Sequence, residues 1–237
     1  MSDQMAAEPG TVHSLADFVA AHSQENSEGM WQLEAGDRCL EIHLSGNTVF
    51  TKVGAMVARY GDIKFEHAGS GGAGKFLKQA MTGEQVRMMR CTGAGILYCA
   101  DQNKSVSILH LNNEVLYVNA NDCLAYSEGI GWDVVITKGA GVATGGLFSL
   151  KLWGSGFVAI TTHGRPLVLG VSPQAPLFTD PNATVAWSDG MQTSIHTDVS
   201  WKTFIGRASG ESWQMRYDGS GFVVVQPYEE VAPTTNG

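Results

Sequence analysis

Gly154-Ser155-Gly156-Phe157-Val158 is the stretch that decides the fold, because it returns as Gly219-Ser220-Gly221-Phe222-Val223. A related stretch, Gly93-Ala94-Gly95-Ile96-Leu97, stands 61 residues before the first. Each copy predicts a tight Gly-x-Gly turn between two strands, since glycine takes backbone conformations that other residues avoid. Internal repeats of this kind indicate a module made three times.

A second marker accompanies the first. Ala125-Tyr126-Ser127-Glu128-Gly129 is matched at the same offset of 61 by Ala186-Trp187-Ser188-Asp189-Gly190, and Leu116 and Leu177 share that offset. A weaker third copy is Val49-Phe50-Thr51-Lys52-Val53-Gly54, which aligns with Val185 to Gly190. The glycines predicted to hold turn positions are Gly54, Gly93, Gly95, Gly129, Gly154, Gly156, Gly190, Gly219 and Gly221.

These markers divide the chain into sequential parts. The predicted parts are a polar N-terminal extension (1–28), a lead-in strand (29–46), β repeats at 47–123, 124–184 and 185–228, and a loose C-terminal tail (229–237). An alternative phase, in which the N- and C-terminal edges pair to complete one repeat, stays open. We prefer the sequential phase because it leaves every repeat whole.

The hydrophobic pattern predicts an all-β protein. Leu40, Ile42 and Leu44 alternate with polar residues, and similar alternation runs through 148–152 and 213–218. Period-two alternation is typical of half-buried antiparallel strands. Helix is predicted at 75–81, inside a glycine-rich insertion (69–83) of the first repeat. A capping-box pattern at Ser14 to Asp17 predicts a further helical turn or two.

Composition narrows the classes of partner. The net charge is −8, and the 15 Lys and Arg residues are scattered singly, whereas nucleic-acid binding needs clustered positive charge. Nucleic acid is therefore not an expected partner. The chain has no signal peptide and no apolar run near the ~20 residues of a membrane helix, which predicts a cytoplasmic protein without an integral membrane segment.

Reactive constellations are not found in the sequence. Gly69 to Lys75 resembles a phosphate-binding loop, but Phe76 stands where a magnesium-binding Ser or Thr is required. The seven histidines form no His-x-His pair, so a cupin-like metal enzyme is a weak third hypothesis. The four cysteines are interpreted as free thiols, with disulfides or a metal site as alternatives. We expect no catalytic residue, cofactor or metal.

Tryptophans offer the remaining chemistry. Trp153 and Trp187 are predicted on strands, where tryptophan usually serves the core or a subunit interface. The alternative is a platform for a small molecule at a repeat junction.

A set of motifs resembles the AIM24 family, also called DUF124. The set comprises Thr82-Gly83-Glu84, Gly145-Gly146-Leu147-Phe148, Lys151 to Gly156 and Val185-Ala186-Trp187, and the resemblance runs from Leu40 to Gln226. It implies a fold related to the Trp RNA-binding attenuation protein (TRAP), with three double-stranded β-helix-like repeats around a pseudo-threefold axis. It implies no catalytic residue. Mitochondrial members of the family are linked to inner-membrane organisation.

Two functional hypotheses follow. The first is a non-catalytic structural or interaction protein that acts as a homo-oligomer with an unidentified protein partner, because sheets with open edges tend to cover them. The second is a ligand-binding module with a site at a repeat junction or subunit interface.

Overall fold

The computed structural model describes residues 14–22, 29–67, 88–137, 148–197 and 213–228. This part of the chain forms one helix, α1 (Leu15–His22), and fifteen strands. The strands are β1 (Trp31–Glu34), β2 (Cys39–Ser45), β3 (Val49–Lys52), β4 (Met56–His67), β5 (Met88–Cys99), β6 (Ser105–Asn119), β7 (Cys123–Ser127), β8 (Ile130–Ile136), β9 (Phe148–Thr162), β10 (Leu167–Val171), β11 (Leu177–Thr179), β12 (Thr184–Ser188), β13 (Met191–Thr197), β14 (Trp213–Gly219) and β15 (Gly221–Val225). The all-β class is confirmed.

Two helical predictions have different outcomes. Half of the predicted capping box is present at α1, where the backbone N–H of Asp17 donates to Ser14 Oγ at 3.1 Å. The Asp17 carboxylate accepts from the Ser14 hydroxyl at 2.5 Å, which replaces the reciprocal bond to the Ser14 backbone N–H. The helix buries no residue, so its cap and not a core contact stabilises it. The predicted helix at 75–81, its insertion at 69–83 and the tail at 229–237 lie outside the described residues.

The strands pair antiparallel in two sheets. The larger sheet has twelve strands in the order β1-β2-β5-β3-β7-β9-β6-β12-β15-β10, with β4 added on β5 and β8 on β9. The smaller sheet has the order β11-β14-β13. The predicted single lead-in strand (29–46) is a hairpin of β1 and β2 instead. Its turn contains Ala35, Gly36 and Asp37, all with positive φ, and this reverses the chain between two short strands.

A cluster of buried apolar side chains joins the two sheets. Met215 and Tyr217 come from β14 of the smaller sheet, whereas Val171, Trp187 and Val223 come from the larger sheet. Two larger clusters lie under the remaining strands of the larger sheet. Burial of this apolar area is the main stabilising contribution, at about 25 cal/mol per Å².

The strands that carry the three glycine motifs pair with their neighbouring strands in the same residue register. The second glycine of each motif lies opposite an apolar residue of an earlier strand, in the pairs Leu44–Gly95, Leu111–Gly156 and Val171–Gly221. The first glycine lies opposite an apolar residue of the preceding hairpin strand, in the pairs Ile63–Gly93, Ile130–Gly154 and Met191–Gly219. The recurring glycine motif therefore corresponds to a recurring strand register.

The register corrects one alignment made from the sequence. Val49 lies opposite Cys91, two residues before the first glycine of its motif. Leu116 and Leu177 have the equivalent position opposite Leu152 and Tyr217, so Val49 corresponds to these leucines and its alignment with Val185 is wrong. The counterparts of β7 and β12 are the first residues of β4, because all three segments carry a β-bulge against their glycine strand, at Met56/Ala58, Cys123/Ala125 and Thr184/Ala186.

Candidate functional site

Two of the three Gly-x-Gly segments are not the tight turns between strands that the sequence predicted, because residues 93–95 lie inside β5 and residues 154–156 lie inside β9. Only the third copy, 219–221, falls at a strand boundary, between β14 and β15. Gly156 has a φ of +150°, and a Cβ there would collide with the hydroxyl of Ser127, which accepts a hydrogen bond from the Phe157 N–H at 2.9 Å. In the corresponding place, Ser188 Oγ accepts from the Phe222 N–H at 3.0 Å, and a Cβ on Gly221 would collide with it. In each pair, the serine hydroxyl occupies the space that a Cβ on the glycine would take, and it accepts a hydrogen bond from the N–H of the residue after the glycine.

The other predicted turn glycines are placed as follows. Positive φ occurs at Gly54, Gly93, Gly95, Gly154, Gly190 and Gly219. At Gly129 the reason for glycine is close approach, because a Cβ would meet the carbonyl oxygen of Ser155.

Trp187 lies in the core. It is only 4% exposed, it stacks on Tyr117 with ring centroids 5.4 Å apart and an interplanar angle of 3°, and it meets Tyr217 edge-on at 5.6 Å. Burial also raises the pKa of Tyr217 above its ordinary value. Of the two roles weighed for this residue, the structure assigns the core and leaves no open face for a ligand.

Trp153 has the opposite setting. Its side chain is 40% exposed, and its indole lies across Gly131 on the neighbouring strand β8. A Cβ on Gly131 would stand 2.5 Å from the indole ring, although the backbone there does not require glycine. Gly131 therefore leaves the space that the partly exposed indole ring occupies.

A groove of about 420 Å³ runs beside this ring. Its lining residues are Asn113, Glu114, Val115, Asp133, Lys151, Trp153 and Gly154. Carboxylates, an amide and an ammonium group thus surround an aromatic face, a combination that suits a small polar molecule with a flat or apolar side. Lys151 is already positioned over the Tyr117 ring, 5.6 Å from its centroid.

Two aromatic contacts join successive parts of the larger sheet. Where β3 pairs with β7, Phe50 lies opposite Tyr126 and the rings stack at 4.9 Å. Where β6 pairs with β12, Tyr117 lies opposite Trp187. We call each of these strand pairings, with its stacked side chains, a joint.

Two segments expose apolar side chains at strand edges. One is the start of β4, where Met56, Val57 and Tyr60 are exposed. The other is formed by β10 and β11, where Leu167, Val168 and Phe178 are exposed. Among the described strands, β4 pairs only with β5, β10 only with β15 and β11 only with β14. Unpaired, apolar edges are typical of surfaces on which another strand adds.

Two lysine–aspartate ion pairs lie close together in the described part of the chain. Lys104 Nζ lies 2.9 Å from Asp122 Oδ1 in a buried pair, and Lys52 Nζ lies 2.8 Å from Asp101 Oδ2 nearby. The four cysteines are free, and burial raises the pKa of Cys123 to about 12. Within the described ranges, no group of three or more His, Cys, Asp or Glu side chains is arranged to hold a metal ion.

Membrane insertion by a helix has no support in the described residues, where no helix is both long and apolar enough to cross a bilayer.

Comparison with known proteins identifies a family and a fold. A family profile described as "Mitochondrial biogenesis AIM24" matches residues 32–228. An X-ray structure of a protein from Streptococcus pyogenes aligns with a TM-score of 0.68 and 20% identity, covering 84% of this chain and 93% of that one. No curated protein sequence matches.

Proposed function

The chain belongs to the AIM24 family, and we propose that it is a non-catalytic scaffold that acts as a homo-oligomer and binds a protein partner in the cytoplasm. One observation carries this proposal: apolar side chains are exposed on three strands, β4, β10 and β11, that each pair on one side only among the described strands. In the described part of the single chain, the N–H and C=O groups on the open edge of such a strand have no partner strand, and its apolar side chains stay in contact with water. A second copy of the chain supplies a partner strand and covers these side chains.

A three-repeat architecture related to TRAP is part of this proposal. The strand register supports repeats at about 39–99, 105–162 and 167–225, because the glycine motif of each range, carried by β5, by β9 or by β14 together with β15, meets its partner segments in the same register. These limits differ from those expected from the sequence, since β6 pairs with β9 along nearly its whole length and so belongs with the second glycine motif. The proposed pseudo-threefold relation contains three equivalent contacts between repeats, of which the described strands of one chain make two, β3 with β7 and β6 with β12.

The non-catalytic part of the proposal rests on the state of the side chains. The buried thiols Cys91, Cys99 and Cys123 have raised pKa values, which disfavours the nucleophilic thiolate. Ser127 and Ser188 are engaged with backbone N–H groups. These groups stabilise strands and are poorly suited to catalysis.

Native mass spectrometry tests the scaffold against its main alternative. For a scaffold we expect an assembly whose mass is a whole multiple of the chain mass. A monomer that carries a bound small molecule would instead favour the ligand-binding module.

The groove beside Trp153 favours that second candidate. Here a small polar molecule would stack on the partly exposed indole ring and bond to Asp133 or Glu114. Titration of a small-molecule library, followed by tryptophan fluorescence, should find a quencher whose effect is lost in Trp153→Ala. Trp213→Phe is the matched control for quenching elsewhere. Equal quenching of the wild type and Trp153→Ala would remove this candidate.

A further inference from the structure

We propose that the start of β4 in one copy pairs antiparallel with β11 of a second copy, forming a third joint like the two inside the chain. This inference rests on the proposed homo-oligomer and specifies its interface. Residues 56–60 are called the first edge, and β11 (Leu177–Thr179) is called the second edge.

The first edge occupies the same place as β7 and β12. Arg59 lies opposite Leu97, Tyr126 opposite Val158 and Trp187 opposite Val223, each two residues after the second glycine of its motif. The bulge that precedes each of these residues supports the same correspondence. Tyr126 and Trp187 are the aromatic residues that complete the two internal joints.

The second edge occupies the same place as β3 and the later half of β6. Phe50 lies opposite Arg90, Tyr117 opposite Lys151 and Phe178 opposite Arg216, each three residues before the first glycine of its motif. The likeness extends to side chains, because Lys151 lies over the Tyr117 ring and Arg216 lies over the Phe178 ring, each at 5.6 Å. Phe178 therefore corresponds to the ring that receives a partner in both internal joints.

Val57, Arg59 and Phe178 of the proposed third joint are exposed in the single chain, whereas the residues equivalent to them in the two internal joints are buried or half-buried. Val57 is 61% exposed, whereas the residues in its place, Leu124 and Val185, are 0% exposed. Phe178 is 41% exposed, and Arg59 is exposed as well. One half of a joint thus lies open in the first repeat and the complementary half lies open in the third.

The internal registers specify the contacts of the third joint. They pair Ala58 with Thr179, Arg59 with Phe178 and Tyr60 with Leu177 across two copies. The Arg59 guanidinium would stack on the Phe178 ring, as Tyr126 stacks on Phe50, and guanidinium groups bind aromatic faces well. In the single chain this guanidinium donates to the carbonyls of Gly61 and Ile63 at 3.2 and 3.1 Å.

The symmetry of the assembly follows from the difference between the edges. Because the first edge of one copy meets the second edge of another, the contact is head-to-tail, and repeated contacts close a ring or extend a filament.

Cysteine cross-linking tests the joint. Chains carrying Arg59→Cys are mixed with chains carrying Phe178→Cys under mild oxidation, because residues opposite each other on paired strands lie ~4.5–5.5 Å apart, within disulfide range. We expect a disulfide-linked dimer in the mixture, with each variant alone as the control for the native thiols. No dimer in an otherwise oligomeric protein would overturn the joint and leave the scaffold standing. A monomeric wild type would remove both.

The double variant Arg59→Cys/Phe178→Cys tests closure within one chain. A disulfide formed at monomer mass would show that the two edges meet in the same chain, and this would overturn the proposal. Disulfide-linked ladders of several chains would support it.

A charge exchange provides a second readout. Phe178→Lys places an ammonium opposite Arg59, and we expect the dissociation constant of the assembly to rise about tenfold or more. Adding Arg59→Glu should restore it to within roughly threefold, because opposite charges then face each other. Ile136→Lys, exposed on β8, is the matched control and should change nothing. Equal dissociation constants for the wild type and Phe178→Lys would contradict this joint.

Discussion

At the residue scale, glycine and serine are selected by contacts that leave no space. Gly156 combines positive φ with contact to the Ser127 hydroxyl, and Gly221 has the same contact without positive φ. The repeated pentapeptide therefore marks a packing requirement. The setting of the tryptophans could not be read from the sequence, because alternation tells which residues share a face and not whether another sheet covers that face. Trp187 is covered by β14, and Trp153 is not.

Gly156→Val should destabilise the protein by roughly 1–3 kcal/mol, because the new side chain meets both an unfavourable φ and the Ser127 hydroxyl. Gly170→Ala is the control, since a Cβ there has no heavy atom within 4 Å. Chemical denaturation measures both variants. An unchanged free energy of unfolding for Gly156→Val would contradict the packing role.

Burial of Cys123 makes stability sensitive to alkali. Its pKa is raised from 9.0 to about 12, so the folded state favours the neutral thiol. This contribution is complete below the unfolded pKa and is lost as the pH rises through about 9 to about 12. The stability difference between the wild type and Cys123→Ser should therefore narrow between about pH 9 and about pH 12. A constant difference in denaturation across that range would exclude this thiol as the cause.

At the element scale, the sequence predicted the strands better than the turns or the correspondence between repeats, because two of the three Gly-x-Gly segments lie inside the strands β5 and β9. Alternation located the strands around 40–44, 148–152 and 213–218, and the structure has strands there. The first copy of the second marker was misplaced because its true counterpart, 56–60, has Arg59 where the other copies have Tyr126 and Trp187. An edge that meets no partner among the described strands of the chain has no need of a buried aromatic residue, so the pattern is lost there.

Turns between elements depend on a buried ion pair. Lys104→Ala should cost roughly 3–5 kcal/mol, because it leaves the Asp122 carboxylate buried beside a lost partner. Arg90→Ala removes the exposed pair with Glu66 and should cost less than about 1 kcal/mol. Thermal and chemical denaturation compare the two variants. Similar losses of unfolding free energy in the two variants would mean that burial does not determine how much the Lys104–Asp122 pair contributes to stability.

At the scale of the whole molecule, the proposed joint between two sheet edges accounts for a chain whose sequence repeats glycine motifs and offers few reactive groups. The two edges, residues 56–60 and β11, belong to the described sheets, so we expect the chain to associate through β surfaces and not through residues 1–28. The described part of that segment is one exposed helix, which buries nothing in the single chain.

The most direct test of the account is the absolute mass of the purified protein by light scattering at micromolar concentration. For the proposed assembly we expect a mass of two or more times 25.3 kDa for the full chain and the same number of subunits for a chain that starts at Gly29. If only the shortened chain is monomeric, the interface lies in the N-terminal segment. A full chain that scatters as a 25.3 kDa monomer contradicts the assembly itself.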